Sequence, residues 1–462
     1  MNYIIIKYLG RGTFSKVWLV YDLIHNNYIT FKMFYMDDKD EYENELEVLD
    51  VIVSNNMKLN LNYKGSLYHT FNINNERMDT CILIMPYLGI SLCDILDYRI
   101  TLSINEIKHI TIQLLKSLIE LHTSKYIHCD LKTDNILTNI YKDDNTEYIE
   151  WFSGLNINDI HTSIIKTNSS TDEEFLKLDK NKRKFIKRKI KKRSLKELEL
   201  YVKKKCFNYE ADSLNLNSID LNLMSSDTNT NTNFNEDTNF NEDNIKLNIM
   251  NLECIDLDNS SINNITHKET DNISNTKTKT KTKTNICNFD NLTDVIITLI
   301  DYSNSIHIDE IDDEDEYQIR AYRAPENILG IDYNYKSELW AVGCIIWYLL
   351  TDEYIFEPEL IGNTISRDIE QLSLMEHYLG KIPQHLIYSS PRYSELFDNS
   401  GNIKKHTNIK RESLENNLKN IRSDLSAVEI RSVCLFLKKI WIYNPTDRLN
   451  VNQILNDDFL AK

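Results

Sequence analysis

The chain opens with alternating apolar and polar residues. Tyr3–Leu9 and Val17–Tyr21 predict two strands joined through Gly10–Ser15, and Tyr28–Phe34 predicts a third. At Glu41–Ile52 the period lengthens to that of a helix, with Leu46, Leu49 and Val53 as its apolar stripe. Cys81–Met85 is an unbroken apolar run, read as a buried strand that ends in Pro86-Tyr87-Leu88-Gly89. A long helix follows over about 104–122: Ser103 and Glu106 have capping-box spacing, and Ile107, Ile110, Leu114, Leu118 and Leu121 line one face. Asp294–Ile300 repeats the buried-strand pattern, Lys336–Leu350 is the most apolar helix, and helical periods run from about residue 369 to the end. Strands first and helices after predict an α+β fold in two lobes, a small β-rich lobe over 1–88 and a larger α-rich lobe over 89–138 and 292–462.

Residues 139–291 break this pattern. Runs such as N-T-N-T-N-F-N-E-D and K-T-K-T-K-T-K-T are too polar to bury a core, so most of the segment is expected to be a disordered spacer. Deleting about 150–285 is therefore expected to leave activity largely intact. The net charge of −17 is not in the spacer, where 23 Lys and Arg meet 25 Asp and Glu; the remainder has 30 against 45. An acidic body argues against direct nucleic-acid binding and for a basic protein partner. Inside the spacer, Lys180–Lys205 is strongly basic, either a solvated helix, an import or partner signal, or a pseudo-substrate-like segment. The eight Cys show no C-x-x-C pair, which suits reduced thiols, and no apolar run approaches membrane-spanning length.

The candidate chemistry centres on Tyr126–Leu137, Y-I-H-C-D-L-K-T-D-N-I-L. Asp130, Lys132 and Asn135 supply a carboxylate to stand beside an attacking hydroxyl, a cation near a moving phosphate, and an amide oxygen for a metal ion. Other pieces follow in matching order. Gly10-Arg11-Gly12-Thr13-Phe14-Ser15, with Val17 beyond it, lets backbone close over phosphates, although Ser15 stands where a third glycine is usual. Lys32 sits among apolar neighbours and asks for an anionic partner, Glu45 or, one turn earlier, Glu41. Asp301 ends a buried strand, where a second metal-binding side chain belongs. Glu326 of Ala324-Pro325-Glu326 wants a buried arginine, and Arg448 of Asn444–Arg448 offers one.

With those residues in place, the chain resembles the protein kinases, and among them the SR-protein kinases, which phosphorylate serines in Arg-Ser repeats of splicing factors. G-R-G-T-F-S-K-V-W-L, Tyr354–Pro358, Ser366–Pro383 and Tyr393–His406 are similar to that family's segments in order, as is the long spacer between Asn135 and Asp301. H-C-D-L-K and A-P-E look closer to the dual-specificity, tyrosine-regulated kinases, the alternative subfamily. The resemblance implies ATP and Mg2+ as cofactors, Asp130 as catalytic base and Lys132 at the γ-phosphate. It implies Asn135 and Asp301 on magnesium, and Lys32 with Glu45 on the α/β-phosphates. Met85 would stand at the gate of the adenine site, with the Pro86 and Leu88 backbone facing the base. Arg320 would shape the substrate loop, and Glu357, Asp368 and Glu370 would line a docking groove for arginine-rich peptides, which carboxylates grip bidentately. Cys129 replaces the usual arginine before Asp130, so constitutive activity is implied. Glu338, Tyr302-Ser303 and Thr30 depart from the usual Asp, Phe-Gly and Ala, which admits a pseudokinase scaffold as the reading from another class. A monomer, in cytoplasm and nucleus, acting on basic Arg/Ser-rich proteins completes the expectation.

Overall fold

The structure, a computed structural model, describes residues 3–55, 63–73, 76–98, 101–141, 143–168, 292–312, 315–358, 363–404 and 413–461, with seven further positions between 190 and 205. The chain forms two compact units. The first comprises Met1–Met36, Leu67–Ile82 and Asp144–Lys283; the second comprises Asp37–Ser66, Leu83–Asp143 and Thr284–Lys462.

The alternating N-terminal segments are antiparallel strands: β1 (Tyr3–Arg11), β2 (Ser15–Asp22) and β3 (Asn27–Tyr35). With β4 (Gly65–Ile73) and β5 (Glu76–Pro86) they make a five-stranded sheet in the order β1-β2-β3-β5-β4. Its buried residues include Ile4 and Ile6, which alternate along one face, and the run Trp18, Leu19 and Val20, which is buried on both faces.

The polar segment expected to begin at 139 instead opens with ordered structure. Asp143–Gly154 and Ile157–Asn168 are helices, α4 and α5 in chain order. Tyr148, Phe152 and Ile157 are buried. Phe152 stacks at an angle on Tyr21 and Tyr28, the Tyr28 hydroxyl lies 2.7 Å from Ser153 Oγ, and Asn158 Nδ2 donates to Asn26 Oδ1 at 2.9 Å. Two aromatic residues four apart give α4 an apolar face that the average polarity of the segment concealed. A deletion starting at 150 removes Phe152 and Ile157, so the 150–285 segment contains packed residues and is not uniformly without structure. Within Lys180–Lys205, Ser194, Leu198 and Val202 are buried at a spacing of four, and most other positions of the stretch lie outside the described residues. The rest of the expected spacer lies outside the described residues.

In the second unit, α1 (Lys39–Ser54) buries Tyr42, Glu45, Val48, Leu49 and Ile52. The expected stripe is thus rotated: Val53 is 51% exposed, because the inward face contains a glutamate that a count of apolar residues passes over. After α2 (Leu92–Tyr98) comes α3 (Ile104–Thr123), whose Ser103–Glu106 capping box and apolar stripe are as read from sequence. Two short ladders follow from distant segments: β6 (Tyr126–Ile127) with β9 (Ile306–His307), and β7 (Ile136–Thr138) with β8 (Ile297–Leu299).

Beyond α6 (Pro325–Leu329), every residue of α7 (Ser337–Thr351) is buried, which makes it the central post of the unit. Gly343 is needed there: a Cβ would come within 2.4 Å of Trp441 Nε1. The helices α8 (Thr364–Leu379), α9 (Gln384–Ser389), α10 (Tyr393–Leu396), α11 (Leu414–Ile421), α12 (Ala427–Ile440), α13 (Val451–Leu455) and α14 (Asp458–Ala461) complete the unit. Arg448 meets Glu326 with both arms of its guanidinium, at 2.6 and 2.9 Å, and neither side chain has solvent exposure. Among the described residues no helix is long and apolar enough to cross a membrane.

Candidate active site

The loop between β6 and β7 is short and almost entirely buried, so its polar groups must find partners inside the protein. Cys129 adopts a left-handed φ of 63°, which turns the chain and presents Asp130. Glu338, at the start of α7, anchors the turn. One carboxylate oxygen accepts from His128 N (2.7 Å) and Cys129 N (3.2 Å), and the other meets His122 Nε2 at 2.6 Å. The extra methylene of glutamate is absorbed and the tie between α7 and the loop is intact; His122 has a structural role.

Asp130 Oδ2 accepts from Lys132 Nζ at 2.8 Å and from Asn135 Nδ2 at 2.8 Å. Asn135 Nδ2 also donates to the Asp130 carbonyl, at 2.9 Å. Both side-chain bonds that Asn135 makes among the described residues thus use its amide nitrogen, and none uses its amide oxygen. No hydrogen bond to Asp130 Oδ1 is made among the described residues, which leaves that oxygen for a hydroxyl.

Asp301 reaches the same place by strand pairing. Ile136 pairs with Leu299, and Ile300 N donates to Asn135 O at 3.0 Å. His128, fully buried, lies with Nε2 3.0 Å from Ile300 O across a separation of 172 residues, and its Nδ1 lies 3.3 Å from Asp130 N. A carbonyl only accepts, so the imidazole proton is assigned to Nε2 and Nδ1 accepts from Asp130. Asp301 has φ of 67°, and Ser303 Oγ donates to its Oδ1 at 2.9 Å. Tyr302 is wholly buried, its hydroxyl on Leu299 O and its ring against His128; burial holds its phenol neutral far above the ordinary range.

The Cys129 thiol belongs to an apolar cluster with Ile127, Tyr333, Tyr317, Ile306, Ile308, Ile311 and Tyr335, and burial raises its pKa well above that of a free thiol. Gln318 N donates to Cys129 O at 3.1 Å, so the segment ending at Ala324-Pro325-Glu326 is fastened directly to the loop. Arg323 in that segment is partnered by Glu316 at 3.0 Å.

The protein kinase domain family matches residues 3–175 and 281–460. The chain belongs to this family. Relatives within it include dual specificity protein kinase lkh1 of Schizosaccharomyces pombe, 29% identical over 178 residues, which is 36% of this chain and 24% of that protein. Serine/threonine-protein kinase AFC3 of Arabidopsis thaliana is 30% identical over 171 residues, 35% of this chain and 40% of the relative. Protein kinase dsk1 of S. pombe is 27% identical over 147 residues, 32% and 27% of the two chains. The chain therefore spans between 24% and 40% of the length of these relatives.

The donor set suits the magnesium nucleotide that the kinase family implies. Asp301 and Asn135 offer oxygen ligands on adjoining strand ends, the sparse protein share that Mg2+ takes when phosphates and water complete its shell. Gly10, Arg11, Gly12, Thr13, Phe14, Ser15, Val17 and Lys32 lie in the first unit, where Gly12 N donates to Ser15 O at 2.8 Å and Val17 pairs with Lys32. Lys32 Nζ is 5.2 Å from the centroid of Phe34. Glu45 lies in the second unit and is buried, whereas Glu41 is half-buried. Met85 is buried at the end of β5, and the Pro86–Leu88 segment runs into Gly89. Gly89 N donates to Thr138 O at 2.7 Å; a Cβ on Gly89 would sit 1.9 Å from Ile140 O, so only glycine lets this segment lie against the strand after Asn135.

The predicted docking carboxylates do not form one surface. Glu357 is exposed and Glu370 is partly so, but Asp368 has no exposure and both its oxygens are engaged, one by Arg320 and one by Arg392 at 2.8 Å. Asp368 is therefore an internal brace for Arg320. A carboxylate on the inner face of α8 reads in sequence like one on the outer face, and Arg392, its second partner, was not singled out. No local motif marks Asn44 or the tyrosines around Cys129 either, whereas Glu316 is visible in sequence as the end of the acidic run Asp309–Glu316.

Proposed function

We propose that the chain is a protein serine/threonine kinase that transfers the γ-phosphoryl group of Mg-ATP to serines in Arg/Ser-rich proteins. The observation that carries the transfer is the division of labour on Asp130. Oδ2 is held by Lys132 and Asn135 while Oδ1 is left to a substrate hydroxyl. Asp130 orients that hydroxyl and takes its proton, Lys132 neutralises charge at the transferred phosphate, and Asn135 with Asp301 holds the cation. Bound magnesium supplies charge neutralisation between the phosphates. Lys32 has the nucleotide-positioning role that the family resemblance assigns it.

The substrate class rests on the SR-protein-kinase-like segments and on the acidic body of the chain. Constitutive activity fits the apolar packing of Cys129 and the pairing of Arg323 with Glu316. The activation segment already has an internal anion and needs no added phosphate to supply one. The resemblance to lkh1, a dual specificity kinase by name, favours tyrosine phosphorylation as a second reading.

The deciding experiment compares transfer from Mg-ATP to Arg-Ser, Lys-Ser and Arg-Tyr repeat peptides, with Asp130→Asn alongside. Preference for Arg-Ser over Lys-Ser, lost in the variant, is the expected outcome. Equal use of Arg-Ser and Lys-Ser discards the substrate class, and Arg-Tyr turnover supports the second reading. Nucleotide binding without transfer to any peptide or to a general basic protein leaves a scaffold.

A further inference from the structure

One side chain fastens α1 to the loop that presents Asp301. Asn44 is half-buried, one position before Glu45, and its Nδ2 donates to two backbone carbonyls, Ser303 O at 2.6 Å and Ser305 O at 2.9 Å. An amide nitrogen has two N–H donors, so both are used and the geometry is two-pronged. The turn it grips is closed by Ser305 N donating to Tyr302 O at 3.0 Å, and Ser303 Oγ in turn donates to Asp301 Oδ1 at 2.9 Å. Two hydrogen bonds in series therefore link the helix to the carboxylate: Asn44 sets the Ser303 backbone, and the Ser303 hydroxyl sets the Asp301 rotamer. Elsewhere α1 and its end are tied down by Tyr126 Oη donating to Glu47 Oε1 (2.6 Å) and Asn55 Nδ2 donating to Ser124 Oγ (2.9 Å). Those bonds fix the helix against α3 and β6, while Asn44 reaches the Asp301 loop itself.

We propose that Asn44 is a positioning residue which, through Ser303, holds the Asp301 carboxylate in the orientation that binds a divalent cation. The identity of the cation rests on the function proposed above. The serine that replaces the expected glycine at 303 acquires a use, because glycine has no hydroxyl to pass the constraint on. The chemistry at 44 is also specific. An aspartate there would set a carboxylate against two carbonyl oxygens, turning two attractions into repulsions.

The test uses the full chain and the variants Asn44→Ala, Asn44→Asp, Ser303→Ala and the Asn44→Ala/Ser303→Ala double. Calorimetry measures the affinity of a non-hydrolysable ATP analogue as Mg2+ is titrated, and hydrogen exchange follows the amides of 302–305 and of α3. Losing one or two hydrogen bonds should raise the Mg2+ needed for half-saturation about 3- to 10-fold in Asn44→Ala and in Ser303→Ala, and further in Asn44→Asp. The double variant should be no worse than the worse single, since both act along one path. Amides 302–305 should exchange faster in Asn44→Ala while α3 is unchanged. Unaltered Mg2+ dependence in Asn44→Ala and Asn44→Asp overturns the proposal. So do losses that multiply in the double variant, faster exchange throughout α3, or analogue binding that ignores Mg2+ in the wild type. If the wild type transfers phosphate and the variants match it, this inference alone fails. If the variants behave as expected and the wild type transfers none, the kinase reading alone fails.

Discussion

At the scale of the residue, Glu338 shows how a substitution that looks disabling is accommodated. The glutamate reaches two loop amides and the His122 ring from one carboxylate with no solvent exposure, and so adds to the ties that Ile300 and Gln318 make to the loop carrying Asp130. Glu338→Ala strands two buried N–H groups and should cost about 3 kcal/mol or more in a urea unfolding experiment. Glu338→Asp, one methylene shorter, should keep the loop bonds at the expense of the one to His122, with a loss of about 1 kcal/mol. Displacement of Asp130 should lower kcat roughly 10- to 100-fold in the alanine variant. A Glu338→Ala protein with unchanged unfolding midpoint and turnover would show that the loop is held by something else. The residues of the loop were legible in sequence because their order and spacing are chemical requirements. Asp368 was misread as a surface carboxylate because exposure is not a property of a residue type: two arginines from other segments, Arg320 and Arg392, decide it.

At the scale of the element, periodicity served best where a face is uniformly apolar. The α3 stripe and its capping box are as read, because an amphipathic helix packed on one side must repeat every three or four residues. The α1 stripe came out rotated because its inner face includes Glu45. The α4 helix was hidden in a polar segment, since two aromatic residues suffice to dock a short helix while barely moving the segment's average. Phe152→Ala should therefore cost about 3–5 kcal/mol, measured as a lowered melting temperature, although it lies in the stretch expected to be dispensable. Deleting 150–285 should impair folding, whereas deleting 206–285 should leave the melting temperature and turnover near wild type. Equal behaviour of the two deletion proteins would refute a structural role for α4 and α5.

At the scale of the whole molecule, the Glu326–Arg448 pair closes the second unit across 122 residues of chain. Arg448 also donates to the carbonyls of Ile442 and Lys336, each at 2.9 Å, so one guanidinium joins three segments around α7. Arg448→Lys keeps the charge and loses the fork; it should cost about 3–5 kcal/mol in urea unfolding. Glu326→Gln alone leaves a buried guanidinium without its counter-charge, so Glu326→Gln/Arg448→Met should be less destabilised than the sum of the single changes. Strictly additive costs would show the pair to be uncoupled.

The sequence by itself determined the chemistry and most of the elements. Strands, capping boxes and amphipathic stripes are local consequences of side-chain period, and Asp130, Lys132, Asn135 and Asp301 stand in an order that phosphoryl transfer demands. Tertiary structure alone decided which charges are buried, which helix face turns inward and which distant carbonyls meet. Asn44 over Ser303 and Ser305, Asp368 between two arginines, and Phe152 against Tyr21 and Tyr28 all depend on chain segments far apart in sequence. Burial and hydrogen-bond partnership are properties of a neighbourhood, and a neighbourhood exists only once the chain has folded.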